Sequence, residues 1–221
     1  MIILDDVQTL FSNGQVADEY KPEYKDYQFL FQQVGELAHQ SCLVLNTWEI
    51  PREIAALTTN TSPVRSLRLQ GLGVTAGEIL REKGLLDENQ WDELIDLYRG
   101  NPLWLKIIAT IIVDLFGGKV ADFLNCESLF LSEDIKSLLH HQFIRLSDIE
   151  KDVMSWLVNQ PKPVSLSQLL DHLQLSPSAV LNAMQSLARR SLIEKQEQDH
   201  QTLFSVAPGV KQYVKTQPSP S

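Results

Sequence analysis

Residues 1–11, MIILDDVQTLF, decide the fold class of this chain. Ile2, Ile3 and Leu4 form a short apolar run that leads directly into two acids, Asp5 and Asp6. A buried parallel strand presents carboxylates in this way, because ligands of open α/β sheets bind at the carboxyl ends of the strands. The stretch therefore predicts a strand whose acids face a nucleotide-bound magnesium ion, although acids that simply end a strand would give the same pattern.

The following segments continue the α/β pattern. Apolar residues recur at helical spacing from Tyr27 to Ala38. SCLVLNT (41–47) is a continuous apolar run that suits a strand buried on both faces. VRSLRLQGL (64–72) alternates apolar and polar residues and predicts a third strand. Strand, helix and strand in this order predict a parallel sheet within residues 1–72.

Helix signals replace strand signals after residue 72. Thr75 with Glu78 predicts a capping box, and Asp87 predicts the cap of the next helix. PLWLKIIATIIVDLF (102–116) begins with a proline, which the first helical turn tolerates. Residues 73–130 are therefore predicted to form a small helical domain.

The last third of the chain has the element order of a winged helix. Ser147 with Glu150 predicts one helix, Ser165 starts a second, and SPSAVLNAMQSLARRS (176–191) is a third. Two short strands around a polar turn and a closing helix follow. Residues 131–216 are predicted to be this domain, with a disordered tail at 217–221. The predicted class is α+β and mostly helical, with a partial parallel sheet, a helical domain and a winged helix.

Charge and cysteine content indicate where the protein is located and which partners are not expected to be its main ones. The net charge of −9 argues against a protein whose main role is to bind the phosphate backbone of nucleic acids. Two isolated cysteines suit a reducing compartment. The N-terminus lacks a basic flank, and the most apolar helix is short and contains Lys106 and Asp114, so neither a signal peptide nor a membrane span is expected. These features predict a cytoplasmic protein.

Six stretches in register resemble a known family. They are IILDDVQTLF, HQSCLVLNTWEIPREIAAL, YRGNPLWLKIIAT, QFIRLSDIEKDVMSWLV, LARRSLIEK and FSVAPGVKQYV. Together they resemble the NB-ARC region of bacterial STAND-class signalling ATPases, particularly cyanobacterial ones that carry WD-type repeats. The resemblance covers nearly the whole chain. It implies a P-loop NTPase domain from its Walker B strand onward, then a helical domain and a winged helix.

The resemblance also implies a nucleotide site, with ADP or ATP and magnesium as ligands in intact relatives. Asp5 and Asp6 match the Walker B acids, and Asp5 would be a weak magnesium ligand. The glycine-rich phosphate loop G-x-x-x-x-G-K-[ST] does not occur in the sequence. We therefore expect no ATPase activity, and nucleotide binding by this chain alone is not expected to be tight.

Three other family positions can be compared with this sequence. Thr47 and Trp48 stand where the family's sensor strand ends in Ser-Arg, and an indole cannot supply the arginine's charge. Ala207 stands where the family often has a histidine or glutamine that contacts the ADP phosphate. Gly100, Asn101 and Pro102 match the family's Gly-x-Pro motif near the adenine, but the same tripeptide also makes a plain helix-to-helix turn.

Three functions remain open at the level of sequence. The first is a partial nucleotide-switch module that acts by protein contact, with a partner that supplies the missing P-loop half. The second is a winged-helix DNA-binding regulator, in which Arg189 and Arg190 would touch phosphates or bases. The third is a decayed remnant or dominant regulator that binds full-length relatives. The low basic charge makes nucleic acid the least expected partner.

Overall fold

The computed structural model describes residues 1–126, 129–198 and 200–217. Most of these residues are helical, and two small sheets accompany the helices, in agreement with the predicted α+β class. The α-helices are α1 (Asp26–Glu36), α2 (Arg52–Leu57), α3 (Ala76–Glu82), α4 (Trp91–Leu97), α5 (Pro102–Phe116), α6 (Val120–Leu124), α7 (Glu133–Phe143), α8 (Asp148–Val158), α9 (Leu166–His172), α10 (Pro177–Arg189) and α11 (Pro208–Thr216). The strands are β1 (Ile2–Leu4), β2 (Leu43–Leu45), β3 (Val164–Ser165), β4 (Glu194–Gln198) and β5 (Gln201–Ser205). Within the described residues, no helix is both long and apolar enough to cross a membrane.

The chain forms two compact units. Among the described residues, the first combines residues 1–67 with residues 141–206, and the second combines residues 68–140 with residues 207–217. Each unit is thus built from parts of the chain that are distant in sequence. The tail predicted at 217–221 lies outside the described residues except for Gln217.

The opening strand pairs with the second strand as the sequence predicts. β1 and β2 are parallel, with Ile2 opposite Leu43 and Leu4 opposite Leu45. One face of this pair packs on a core cluster formed by Val7, Phe11, Tyr20 and Phe31, with the partly buried Leu4, Leu10, Tyr27, Leu43, Leu45 and Ile54 against it. The N-terminal α/β part therefore has its own apolar core.

The burial predicted for these two strands is wrong. Ile2 and Ile3 are each 60% exposed, and Val44 is 41% exposed. Successive side chains of a strand point to opposite faces, so Ile3 and Val44 lie on the face away from the core cluster. The exposure of Ile3 and Val44 shows that the other described residues leave much of that face uncovered.

The third strand, predicted at 64–72, is also absent. Residues 64–72 have no strand assignment, and Leu67 and Leu69 are more than 80% exposed. A strand exists only through ladder hydrogen bonds to a neighbour, and alternation alone does not supply one. In the described residues the two strands of the parallel sheet, β1 and β2, pair only with each other.

The helix-start signals were correct in the last third and partly wrong before it. Ser147 with Glu150 and Ser165 with Gln168 form reciprocal capping boxes at α8 and α9. Thr75 makes no cap, because its hydroxyl donates instead to the carbonyl of Leu72 at 2.7 Å. Asp87 does not cap its own helix either, since its carboxylate accepts from the amide of Ala121 at 3.1 Å.

The last third has the connectivity of a winged helix. Helices α8, α9 and α10 are followed by the hairpin β4–β5, and β3 completes a sheet in the order β3-β5-β4. Helix α10 packs against α8, and the buried residues of the two helices include Val180, Leu187 and Met154. These elements belong to the first unit, whereas α11 belongs to the second.

Candidate functional site

The predicted acid pair stands at the carboxyl end of β1. Asp5 and Asp6 are both exposed, and Asp6 adopts a left-handed backbone conformation with φ of 52°. Oδ1 of Asp5 accepts from Nδ2 of Asn46 at 2.6 Å, and Oδ1 of Asp6 accepts from Nε2 of Gln8 at 2.8 Å. Magnesium is usually held by one or two carboxylates together with waters and substrate phosphates. Two exposed carboxylates at this edge fit that requirement.

The end of β2 lies next to the acid pair. Asn46 follows β2, and its backbone amide donates to the carbonyl of Leu4 at 2.9 Å. The hydroxyl of Thr47 donates to the carbonyl of Glu49 at 2.9 Å, so its hydrogen bond stays within the turn that follows β2. Trp48 is 40% exposed, and its backbone amide donates to Oε1 of Gln8 at 3.3 Å. The structure therefore brings Asp5, Asp6, Thr47 and Trp48 to one edge of the parallel pair.

Gly100, Asn101 and Pro102 belong to the second unit and form the turn that starts α5. Oδ1 of Asn101 accepts from the amides of Leu103 and Trp104 at 3.0 and 3.1 Å, which makes Asn101 the helix cap. Gly100 has a φ of 62°, and a Cβ there would lie 3.0 Å from the amide nitrogen of Leu72. The turn thus has a complete structural explanation without a ligand.

Ala207 also belongs to the second unit, directly before Pro208 at the start of α11. Its carbonyl accepts from the amide of Lys211 at 2.8 Å, and it makes no side-chain cap. The next residue but one, Gly209, lies against Trp104 of the same unit: a Cβ on Gly209 would lie 2.4 Å from Cζ3 of that indole.

A buried ion-pair cluster occupies the first unit and was not predicted. Its centre is Glu49, which is only 1% exposed. Nη2 of Arg145 donates to Oε1 of Glu49 at 2.6 Å, and Nη1 of Arg190 lies 2.9 Å from Oε2. Arg190 also pairs with Glu150 through Nε at 3.3 Å. A buried carboxylate flanked by two guanidinium groups is compensated in charge and in hydrogen bonds, as burial of a charge requires.

Asp18 forms a second ionic contact in the same unit. It is 1% exposed, its Oδ2 lies 2.6 Å from Nη1 of Arg189, and its Oδ1 lies 2.9 Å from Nη2 of Arg52. Burial raises the pKa of Asp18 above its ordinary value, and the nearby Arg189 and Arg52 counteract part of that rise.

Glu53 is buried in the same unit, but its hydrogen bonding is incomplete. Its Oε2 accepts from the hydroxyl of Tyr20 at 3.3 Å, and its Oε1 has no hydrogen-bond partner among the residues that the structure describes. Burial raises the pKa of Glu53, and the charge of Asp18 adds to the rise. Burial together with Glu53 also raises the pKa of Tyr20. The surroundings of Glu53 therefore disfavour its charged form, whereas the charge of Glu49 is compensated by Arg145 and Arg190.

A shallow cavity of about 280 Å³ lies elsewhere in the first unit. It is lined by Val16, Ser147, Ile149, Ser178, Ala179, Asn182 and Ala183. None of the predicted site residues lines it. Among the described residues, no group of three or more His, Cys, Asp or Glu side chains is placed to hold a metal ion.

Comparison with known proteins gives one relative in sequence. The chain is 38% identical over 221 residues to an uncharacterized WD repeat-containing protein of the cyanobacterium Nostoc sp. (strain PCC 7120). The match covers 97% of this chain but only 17% of that relative's length. No family model matches the chain.

Comparison of structures shows a similarity of fold to one ATPase of known structure. A Walker-type ATPase of Pyrococcus abyssi matches 96% of this chain and 62% of its own chain, with a TM-score of 0.58 and 17% identity. At that identity the match shows similarity of fold alone. HlyU from Vibrio cholerae covers 39% of this chain at a TM-score of 0.31 and 16% identity, too weak a match to support an argument.

The sequence predicts the acid pair at the end of β1 but gives no prediction of the ion-pair cluster. Arg189 and Arg190 were considered as nucleic-acid contacts, yet their side chains are 22% and 5% exposed and are engaged with Asp18, Glu49 and Glu150. One signal was available: Arg145 is a charged residue set among apolar ones, between Ile144 and Leu146. A charge in such a place usually has a buried partner, but the sequence could not say which acid that partner is.

Proposed function

We propose that this chain is a partial nucleotide-switch module of the NB-ARC type, which acts in signalling through protein contact and has no ATPase activity of its own. One observation carries the proposal. Asp5 and Asp6 stand at the carboxyl edge of a parallel strand pair, in a chain whose fold resembles a Walker-type ATPase over 96% of its length. The WD repeat-containing relative agrees with the resemblance to family members that carry WD-type repeats.

The partner follows from the incomplete sheet. The outer face of β1–β2 exposes Ile3 and Val44, and 64–72 finds no strand to pair with in the described residues. A polypeptide that carries a P-loop would supply both the missing strand and the phosphate cradle. Asp5 and Asp6 would then hold the magnesium ion of a bound nucleotide. A full-length relative is one source of such a polypeptide.

The winged-helix connectivity of the last third is the observation that favours the DNA-binding alternative, but the side chains and charges there do not support it. In this conformation Arg189 and Arg190 neutralise buried acids, and the hairpin carries Glu194 and Glu197 beside Lys195. DNA-binding surfaces usually show a clear basic footprint.

Nucleotide-dependent stability tests the proposal. The chain is purified alone and also co-expressed with a P-loop-bearing segment of a full-length relative, and thermal unfolding is followed with and without millimolar Mg-ADP. For the chain alone we expect no shift of the midpoint. For the complex, nucleotide at a hundred times its Kd adds about 2.7 kcal/mol, a shift of about 5–10 °C.

Two variants separate the role of the acid pair from a general effect of charge. Asp5→Asn is expected to remove the magnesium-dependent part of the shift, whereas Asp92→Asn, an exposed acid on α4, leaves it unchanged. Absence of a complex on size-exclusion chromatography contradicts the proposed partner. A clear shift of the chain alone contradicts the view that it needs one.

A further inference from the structure

Residues 12–19 form a loop that contains the single Asn-Gly pair of the sequence, Asn13–Gly14. The ends of the loop are held together, because Phe11 and Tyr20 form an antiparallel bridge. Asn13 and Gly14 are both exposed, and Gly14 has a φ of 70°. A Cβ on Gly14 would have no heavy atom within 4 Å in the described part of the chain. Water therefore reaches both residues of the pair.

An Asn-Gly pair can lose its side-chain amide without an enzyme. The backbone nitrogen of Gly14 attacks Cγ of Asn13, the bond from Cγ to Nδ2 breaks, and ammonia leaves with the proton of the Gly14 amide. The five-membered imide then takes up one water at either carbonyl and opens to aspartate or isoaspartate. Asparagine is a thermolabile residue, and glycine favours the ring closure because it has no side chain and a wide range of backbone conformations.

One residue, Arg145, holds both reacting groups of this pair. Nη1 of Arg145 donates to Oδ1 of Asn13 at 3.0 Å, and the amide of Gly14 donates to the carbonyl of Arg145 at 3.1 Å. Arg145 is itself fixed, since it is 9% exposed and its Nη2 donates to Glu49 at 2.6 Å. Ring closure requires the amide of Gly14 to leave its acceptor and lose its proton, so the bond to Arg145 opposes the reaction.

We propose that Asn13–Gly14 is a deamidation site whose reaction Arg145 keeps slow in the folded chain. A hydrogen-bonded amide reacts only in the fraction of molecules in which its bond is open. The two products differ in what they preserve. Aspartate keeps the contact with Arg145, because a carboxylate oxygen takes the place of Oδ1 and the bond becomes an ion pair. Isoaspartate lengthens the main chain by one atom and displaces the amide of Gly14 from its acceptor.

Peptide mass spectrometry of the full chain, stored at neutral pH, measures the reaction. Each deamidation replaces NH2 by OH, and chromatography separates the aspartate product from isoaspartate. A synthetic peptide of residues 7–20 in the same buffer gives the rate without structure. We expect Asn13 to deamidate in the folded chain more slowly than in the peptide by about tenfold or more.

Two arginine variants test the role of Arg145. Arg145→Lys keeps a positive charge beside Glu49 but lacks the second nitrogen arm that reaches Asn13, so deamidation is expected to accelerate by about threefold or more. Arg52→Lys is the matched control, because Arg52 pairs with Asp18 in the same unit, and it should leave the rate unchanged. Asn13→Gln should remove the signal, since its ring closure would have to form a larger ring.

Equal rates in the folded chain and the peptide overturn the proposal. An Arg145→Lys chain that folds and deamidates at the wild-type rate overturns it as well. Should Arg145→Lys fail to fold, hydrogen exchange of the Gly14 amide in the wild-type chain decides the role of Arg145. That amide is expected to exchange more slowly than in the peptide by about tenfold or more, and exchange at the rate of the peptide overturns the proposal. No nucleotide or partner is used, so failure here leaves the proposed function standing.

Discussion

Replacing Glu49 with glutamine removes the central charge of the ion-pair cluster at constant shape. Glu49 takes Arg145 on one oxygen at 2.6 Å and Arg190 on the other at 2.9 Å. The amide oxygen of a glutamine can still accept from one guanidinium group, but its NH2 group would face the other. Breaking a buried ion pair by removing one partner costs about 3–5 kcal/mol. We expect Glu49→Gln to destabilise the joined first unit by an amount in this range.

Urea titration at pH 7, followed by circular dichroism, measures this loss of stability. The control is Glu53→Gln, in which the same chemical change removes a carboxylate that burial disfavours, so that no loss of stability is expected. The reasoning is refuted if Glu49→Gln loses less than about 1 kcal/mol, the value of a surface ion pair. It is equally refuted if Glu53→Gln loses as much as Glu49→Gln.

Four further outcomes follow from individual contacts. Because folding raises the pKa of Glu53, its charged form destabilises the fold above the ordinary pKa of 4.5. Glu53→Gln should therefore unfold at a higher urea concentration than the wild type at pH 7. Near pH 4 the two chains should unfold at the same urea concentration. Gly209→Ala places a methyl group 2.4 Å from Trp104 and should cost about 1–3 kcal/mol in thermal unfolding. Gly77→Ala, in ordinary contact at 3.6 Å with a different indole, should instead stabilise by about 0.5–1 kcal/mol. Asn101→Ala removes the cap of α5 and should cost about 0.5–2 kcal/mol, and a loss of helicity by circular dichroism without any change in the unfolding midpoint would contradict this.

Local signals in the sequence predicted the elements whose causes are local. The start of α5 follows from Asn101 and Pro102, and the start of α8 follows from Ser147 with Glu150, because a cap and the helix it begins are only a few residues apart. The pairing of β1 with β2 followed from two apolar runs separated by one helix. The acid pair could be placed because the end of a strand fixes the position of the next two residues.

Features that depend on distant residues could not be predicted. The partner of Arg145 is Glu49, 96 residues away, and no periodicity links the two positions. The alternation in 64–72 resembled a strand, but a strand also needs a neighbour, and the residues themselves carry no information about one. The same limit applies to Thr75, whose hydroxyl turned back to Leu72 instead of capping a helix.

The exposed face of β1–β2 bears on how copies of the chain behave in concentrated solution. Ile3 and Val44 form an exposed apolar patch beside an unpaired strand edge, and this geometry favours association of identical molecules. The net charge of −9 opposes that contact by mutual repulsion. Repulsion between exposed charges reaches only about 10 Å at 0.1 M salt and about 3 Å at 1 M. Colloidal stability of the chain therefore rests on low ionic strength, and the acidity that discourages nucleic-acid binding also keeps copies of the protein apart.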